Sequence, residues 1–166
     1  VSYTDCAPPE AVLADLARLE TLWAWAKDQT GSGQWLCGAY SAADAFFAPV
    51  ASRIATYNLP VGPAAMAYVQ AHLGHNSFRR WRAMGLVDGA DQPFYRRDYP
   101  RRPWPGPAPL SAKAVAGAQA ENTACPYSGK PVTHVLEIDN RRIGFCNAFC
   151  RDKTVADPEA WPKFMA

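Results

Sequence analysis

The chain has 166 residues, of which 49% are hydrophobic and 19% charged, with a formal net charge of +2 at neutral pH. A length in this range buries one substantial core and leaves room for a small satellite domain. The near-neutral charge argues against a strong electrostatic commitment to nucleic acid or acidic lipid, and the longest apolar runs, such as AYSAADAFFAPVA with Asp44 inside it, fall short of the roughly 18 residues that cross a bilayer.

Val1 is neither an initiator Met nor the start of a charged and then apolar leader, so the first residue is expected to lie inside a longer gene product. Val12, Leu16, Leu19, Trp23 and Ala26 recur at helical spacing, and Pro8 or Pro9 suits the first turn of the helix they predict. TGSGQWLCGAY supplies the glycines and polar residues of a loop. SAAD then opens a second helix. Ser41 at the N-cap is placed to accept from the Asp44 N–H, while the Asp44 carboxylate returns to the Ser41 N–H and sits at the positive end of the helix dipole. Phe46, Phe47, Val50, Ile54 and Tyr57 give this helix a wide apolar face, and Pro49 within it predicts a kink. After Leu59-Pro60-Val61-Gly62-Pro63, a third helix carries Met66, Val69 and Leu73 on one face, with Gly74 as its C-cap. A shorter fourth starts near Asn76, turns Phe78 and Trp81 inward and stops at Gly85.

The stretch WLCGAYSAADAFFAPVASRIATYNLP, with Gly38, Ser41 and Asp44 in a G-x-x-S-x-x-D capping box and Pro49 and Arg53 behind it, resembles the middle of the all-helical C-terminal domain of cytosolic glutathione S-transferases. AHLGHNSFRRWRAMG resembles a later helix of that domain, with His75-Asn76 where a His-Pro pair is common. The resemblance runs from about Pro8 to Leu86. It implies a mainly α fold, cytoplasmic location, and a full-length parent that conjugates glutathione to electrophiles and pairs as a homodimer. In that family the glutathione site and its activating Ser, Tyr or Cys lie on an N-terminal thioredoxin-like domain, and nothing in this sequence reads as βαβ. The resemblance therefore implies a missing partner domain, glutathione bound only in the parent, and no catalytic residue here. Asp44 reads as a capping carboxylate. Cys6, Cys37, Tyr3 and Tyr40 have no base placed beside them by spacing, and Cys37 reads as a buried apolar cysteine.

Prolines at 93, 100, 103, 105, 107 and 109 make regular structure unlikely through most of 89–120, which reads as a linker between a helical domain over 1–88 and a small domain over 121–166. Arg96, Arg97, Arg101 and Arg102 alternate with Phe94, Tyr95, Tyr99 and Trp104, a texture that single-strand nucleic-acid surfaces share. With the chain nearly neutral, the favoured reading is a polyproline-like strap whose rings pack on the helical domain.

In the last segment Cys125 precedes a turn, PYSGKP; VTHVLEI alternates as a strand, DNRR turns, and IGF returns. Cys146 opens a short helix that places Cys150 on the same face, and Asp157-Pro158 ends it. The hairpin brings Cys125 back beside Cys146, so three thiols converge, and three soft donors fit zinc. A segment of about 40 residues buries little core, and metal is the usual substitute. The competing readings are reduced, packed thiols or a disulfide, which five cysteines and a cytosolic family disfavour. The pattern C-x20-C-x3-C resembles the small metal-binding TRASH and YHS-like domains, in which a C-x2-C knuckle has its second cysteine where Ser128 stands. The fourth ligand is left among His134, a carboxylate such as Asp157, and water. The whole reads as a glutathione S-transferase C-terminal-type bundle with a β-hairpin-plus-helix zinc appendage; the second reading is a non-catalytic metal-binding or sensing module on a helical scaffold.

Overall fold

The computed structural model describes residues 2–31, 33–90 and 92–165; the expectation attached to Val1 lies outside them. In chain order the elements are β1 (Ser2–Tyr3), α1 (Glu10–Thr30), α2 (Ala42–Tyr57), α3 (Pro63–Gly74), α4 (Asn76–Gly85), β2 (Arg101–Arg102), β3 (Ala112–Val115), β4 (His134–Ile138), β5 (Arg141–Phe145), α5 (Ala148–Ala156) and α6 (Pro162–Met165). The protein is mostly helical, with a two-stranded sheet β1–β2 and a three-stranded antiparallel sheet in the order β3–β4–β5. It divides into two compact units, one running through His75 and resuming over Tyr95–Pro107, the other made of Asn76–Phe94 and the residues from Ala108 onward.

The first unit is built by α1, α2 and α3. Pro9 caps α1, and Gly31, at φ +86°, ends it with its N–H on the Lys27 carbonyl at 3.0 Å. Leu16 and Trp23 are the residues α1 buries. Trp23 meets Tyr68 edge-on at 4.7 Å and Phe47 at 5.6 Å, and Ile54, Val69 and Leu73 are buried as well. The α2 start carries the expected box: the Ser41 N–H donates to the Asp44 carboxylate at 2.8 Å, and the Ser41 hydroxyl donates to the same oxygen at 2.9 Å. The helix runs through Pro49 to an Asn58 in the left-handed region. Its inward stripe is Asp44, Ala51, Ile54 and Ala55, spaced by seven, three and one. Phe46 falls off that stripe and is 84% exposed, unlike the expectation that it faces the core.

The Arg/Pro segment of this unit is not structureless. Between Pro100 and Pro103 only Arg101 and Arg102 retain backbone N–H groups, and these two residues pair with β1 in the register Ser2↔Arg102 and Tyr3↔Arg101. The Arg102 guanidinium donates to Ser2 Oγ at 3.1 Å, and that hydroxyl donates to the Ala55 carbonyl at 2.6 Å. Tyr99 meets the Tyr3 ring edge-on at 6.1 Å.

In the second unit α4 turns Phe78 and Ala83 inward, while Trp81, expected beside them, is 49% exposed. The inward side of the helix is taken up by Arg79 and Ala83, which meet Asp157 and the Ala160–Trp161 pair. β4 and β5 form the expected hairpin, turned by Asp139 and Asn140 at φ +47° and +62°, the two positive values a tight hairpin turn requires. β3 lies in the segment read as linker. Its sequence AKAV carries no strand signal of its own, and the open edge of β4 imposes the pairing Ala112↔Ile138 to Val115↔Val135. The core under this sheet is Cys125, Leu136, Ile138 and Phe145, with Cys146, Cys150 and Tyr127 against it.

Candidate metal centre

Three elements of the second unit bring the three sulfurs together. The first is the knuckle from Cys125 to Lys130. Its ends are tied by the Cys125 N–H on the Lys130 carbonyl at 2.8 Å and the Gly129 N–H on the Cys125 carbonyl at 2.9 Å. Pro126 fixes one φ of the turn, and Gly129 supplies φ +70°, which a side chain would strain. Asn122 fastens the segment that leads into this knuckle to β5, accepting from the Gly144 N–H at 2.6 Å and donating to the Gly144 carbonyl at 3.0 Å.

The second element is β5, whose end delivers Cys146; Thr133 holds that end by donating to the Cys146 carbonyl at 2.9 Å. The third is α5. Asn147 is its N-cap, with the side-chain carbonyl accepting the Cys150 N–H at 2.7 Å, so the helix begins at Ala148, two residues after the expected Cys146, and still sets Cys150 beside it. One turn on, Thr154 donates to the Cys150 carbonyl at 2.8 Å, which leaves its oxygen to accept from the half-buried Tyr127 hydroxyl at 2.6 Å.

The result is a triad in which the sulfurs of Cys125, Cys146 and Cys150 all lie within 4.8 Å of one another. Cys146 and Cys150 are 4.0 Å apart, and all five cysteines are free thiols. A tetrahedral zinc with bonds of about 2.3 Å to sulfur needs sulfurs about 3.8 Å apart, so the donors are both of the right chemistry and at nearly the right separation. The triad also lies at the edge of an apolar core, where Cys125 is 2% exposed.

Electrostatics around the sulfurs are uneven. Burial pushes the Cys125 thiol up, but the backbone N–H groups of Cys146, Tyr127 and Ser128 and the Ser128 hydroxyl address its sulfur and bring it down to about 6. Cys150 is pushed up to about 11 by burial, then by the hydrogen bond and charge of Cys146 and the charge of Cys125, with Lys153 opposing. Three adjacent thiolates repel unless a cation lies between them. A divalent ion on three thiolates leaves one net negative charge, and the Lys153 ammonium, which favours the Cys150 thiolate, lies 4.0 Å from the centre of the Trp161 ring and 4.4 Å from that of Tyr127.

The other sequence candidates lie elsewhere. His134 is on β4 outside the triad. Thr133 spends its one hydroxyl proton on Cys146, so the His134 Nδ1 at 2.9 Å is the donor to the Thr133 oxygen. Asp157 is occupied by Arg79, which donates to both carboxylate oxygens at 2.8 and 2.6 Å. In the first unit Cys6 donates to the Thr4 carbonyl at 3.7 Å, and burial and Asp5 raise its thiol. Tyr40 stacks on the His75 ring at 3.9 Å. Cys37, expected to be buried, is exposed: Trp35 and Leu36 take the inward places of that loop. Asp44 is fully buried and accepts from the Leu36 N–H at 3.0 Å and the Tyr68 hydroxyl at 2.9 Å as well as from Ser41. Burial would raise its carboxyl, yet these bonds hold it below the usual carboxylate range, as a structural cap requires.

Sequence reasoning passed over Asn122 and Asn147, and it saw Ser128 only as a departure from a motif. For Asn147 the signal was present, an N-cap residue directly before a short helix. Asn122 acts across the hairpin and leaves no local pattern.

No protein-family model matches the chain, no curated protein matches its sequence, and no solved structure matches its fold. The resemblance to glutathione S-transferases therefore stands on the quoted residues alone. Among the described residues no helix is long and apolar enough to cross a membrane. The chain is thus a helical region followed by a small antiparallel sheet that carries a three-cysteine cluster suited to a metal such as zinc.

Proposed function

We propose that the second unit is a zinc-binding module in which Cys125, Cys146 and Cys150 hold the ion as thiolates. The ion joins knuckle, strand end and helix start, so its binding energy becomes folding energy for a segment with little core of its own. The observation that carries this reading is the approach of three sulfurs from three elements to within 4.8 Å. Titrating the reduced chain with cobalt(II) tests it. A tetrahedral thiolate spectrum that saturates at equimolar metal, disappears on adding zinc and is lost in Cys146→Ser is expected; a chain that gives only the spectrum of hydrated cobalt contradicts it.

A second proposal concerns the first unit. The buried Asp44 cap, with its bonds to Leu36, Ser41 and Tyr68, supports reading these helices as the non-catalytic half of a glutathione S-transferase-like protein. On that reading conjugation of glutathione to electrophiles belongs to a full-length parent with a thioredoxin-like domain, and zinc is structural. Incubating this chain with glutathione and a chromogenic aryl halide is expected to give no conjugate above the uncatalysed rate. Saturable turnover contradicts the assignment of catalysis to residues outside the chain.

A further inference from the structure

Three thiolates leave one vertex of a tetrahedron to be filled, and what fills it decides whether zinc is locked in or exchanged. Neither residue proposed from sequence is in place, since His134 is outside the triad and Asp157 is held by Arg79. Ser128 is. Its Oγ lies 3.2 Å from the Cys146 sulfur, one of the three donors. A tetrahedral zinc with bonds of about 2.3 Å to sulfur and 2.1 Å to oxygen puts its oxygen and sulfur ligands about 3.6 Å apart. The observed 3.2 Å is close to that separation. The Lys130 N–H donates to the same oxygen at 3.3 Å. A hydroxyl has two lone pairs, so one can accept from Lys130 while the other faces an ion, its proton turning away from sulfur. The Ser128 side chain is exposed to solvent, whereas Cys125 is buried.

We propose that Ser128 supplies the fourth, oxygen donor of the centre and that its solvent-facing vertex is the port through which a soft divalent ion enters and leaves. This rests on the zinc reading above. A neutral hydroxyl is a weak ligand beside thiolate, and an incoming thiol or chelator displaces it without moving any of the three cysteines. The centre is then a site of metal exchange as well as a structural one.

The test uses the full chain as wild type, Ser128→Cys and Ser128→Ala. Each is loaded with zinc and challenged with a chromogenic chelator, and each is also loaded with cobalt(II). Ser128→Cys is expected to hold zinc about tenfold tighter or more, to release it more slowly, and to shift the cobalt spectrum to that of four thiolates. Ser128→Ala is expected to release zinc several-fold faster, with circular dichroism unchanged because residue 128 is on the surface. If wild type binds zinc and both variants match it in affinity, release rate and cobalt spectrum, Ser128 is idle and this inference falls while the zinc reading stands. If wild type binds neither metal, the zinc reading itself fails and takes this one with it.

Discussion

The two units solve the same stability problem with different materials. The helical unit closes over large side chains, with Trp23, Ile54, Tyr68, Val69 and Leu73 all nearly inaccessible, and its buried carboxylate is fully hydrogen-bonded. The second unit has a core cluster of four buried residues under its sheet, one of them a cysteine, and adds the Arg79–Asp157 ion pair and the sulfur triad. Where apolar surface suffices, polar groups only need satisfying; where it does not, polar groups become cross-links.

Removing the metal is expected to separate the two most strongly. Structural zinc sites couple on the order of 10 kcal/mol of binding energy to folding. Chelation should bring amide exchange in β4, β5 and α5 close to that of an open chain while α2 and α3 keep their protection. Equal loosening of both units shows that the triad is not the second unit's support. Arg79→Ala comes next, because it strands a carboxylate that is 8% exposed; a loss of about 3–5 kcal/mol in urea unfolding of the second unit is expected. A change below about 1 kcal/mol assigns the pair to the surface class.

In the helical unit, Asp44→Ala leaves the Leu36 N–H and the Tyr68 hydroxyl without their acceptor and removes the α2 cap. A loss of about 3 kcal/mol is expected there, with metal affinity unchanged. His72 gives this unit a pH dependence. It is fully buried among Trp35, Tyr40 and Tyr68, no hydrogen-bond partner among the described residues meets either ring nitrogen, and burial brings its pKa down to about 4, with Asp44 opposing the effect and His75 adding to it. The unfolded chain takes up the proton near pH 6.5 and the folded one near pH 4, so stability is complete above 6.5 and declines as pH falls through this window, by about 3 kcal/mol. His72→Phe should flatten that decline in acid unfolding curves; an unchanged slope assigns it to other groups. The smallest effect belongs to Phe46→Ser, expected within about 0.5 kcal/mol of wild type because the ring is 84% exposed. A larger loss shows that this face is covered in solution.

What could be read from sequence follows the same division. The helices were legible because each carries its own period and punctuation: the Leu16–Trp23 spacing in α1, Ser41 before α2, Gly62-Pro63 before α3. Convergence of Cys125, Cys146 and Cys150 was legible because a hairpin returns its two ends to one place whatever its side chains. The illegible features depend on a distant partner. AKAV becomes a strand through β4, Trp81 is displaced outward because Arg79 and Ala83 take the inward side of α4, and Cys37 is left outside by Trp35 and Leu36. The fourth donor belongs to this class too, since nothing local distinguishes Ser128 in a turn from Ser128 at a metal.

Elemental analysis of the purified, reduced chain beside the triple variant Cys125→Ser, Cys146→Ser and Cys150→Ser addresses the proposed zinc centre most directly. About one zinc per chain is expected in the wild type and none in the variant. A wild type without stoichiometric metal, or a variant that retains it, contradicts the assignment of the three sulfurs as ligands.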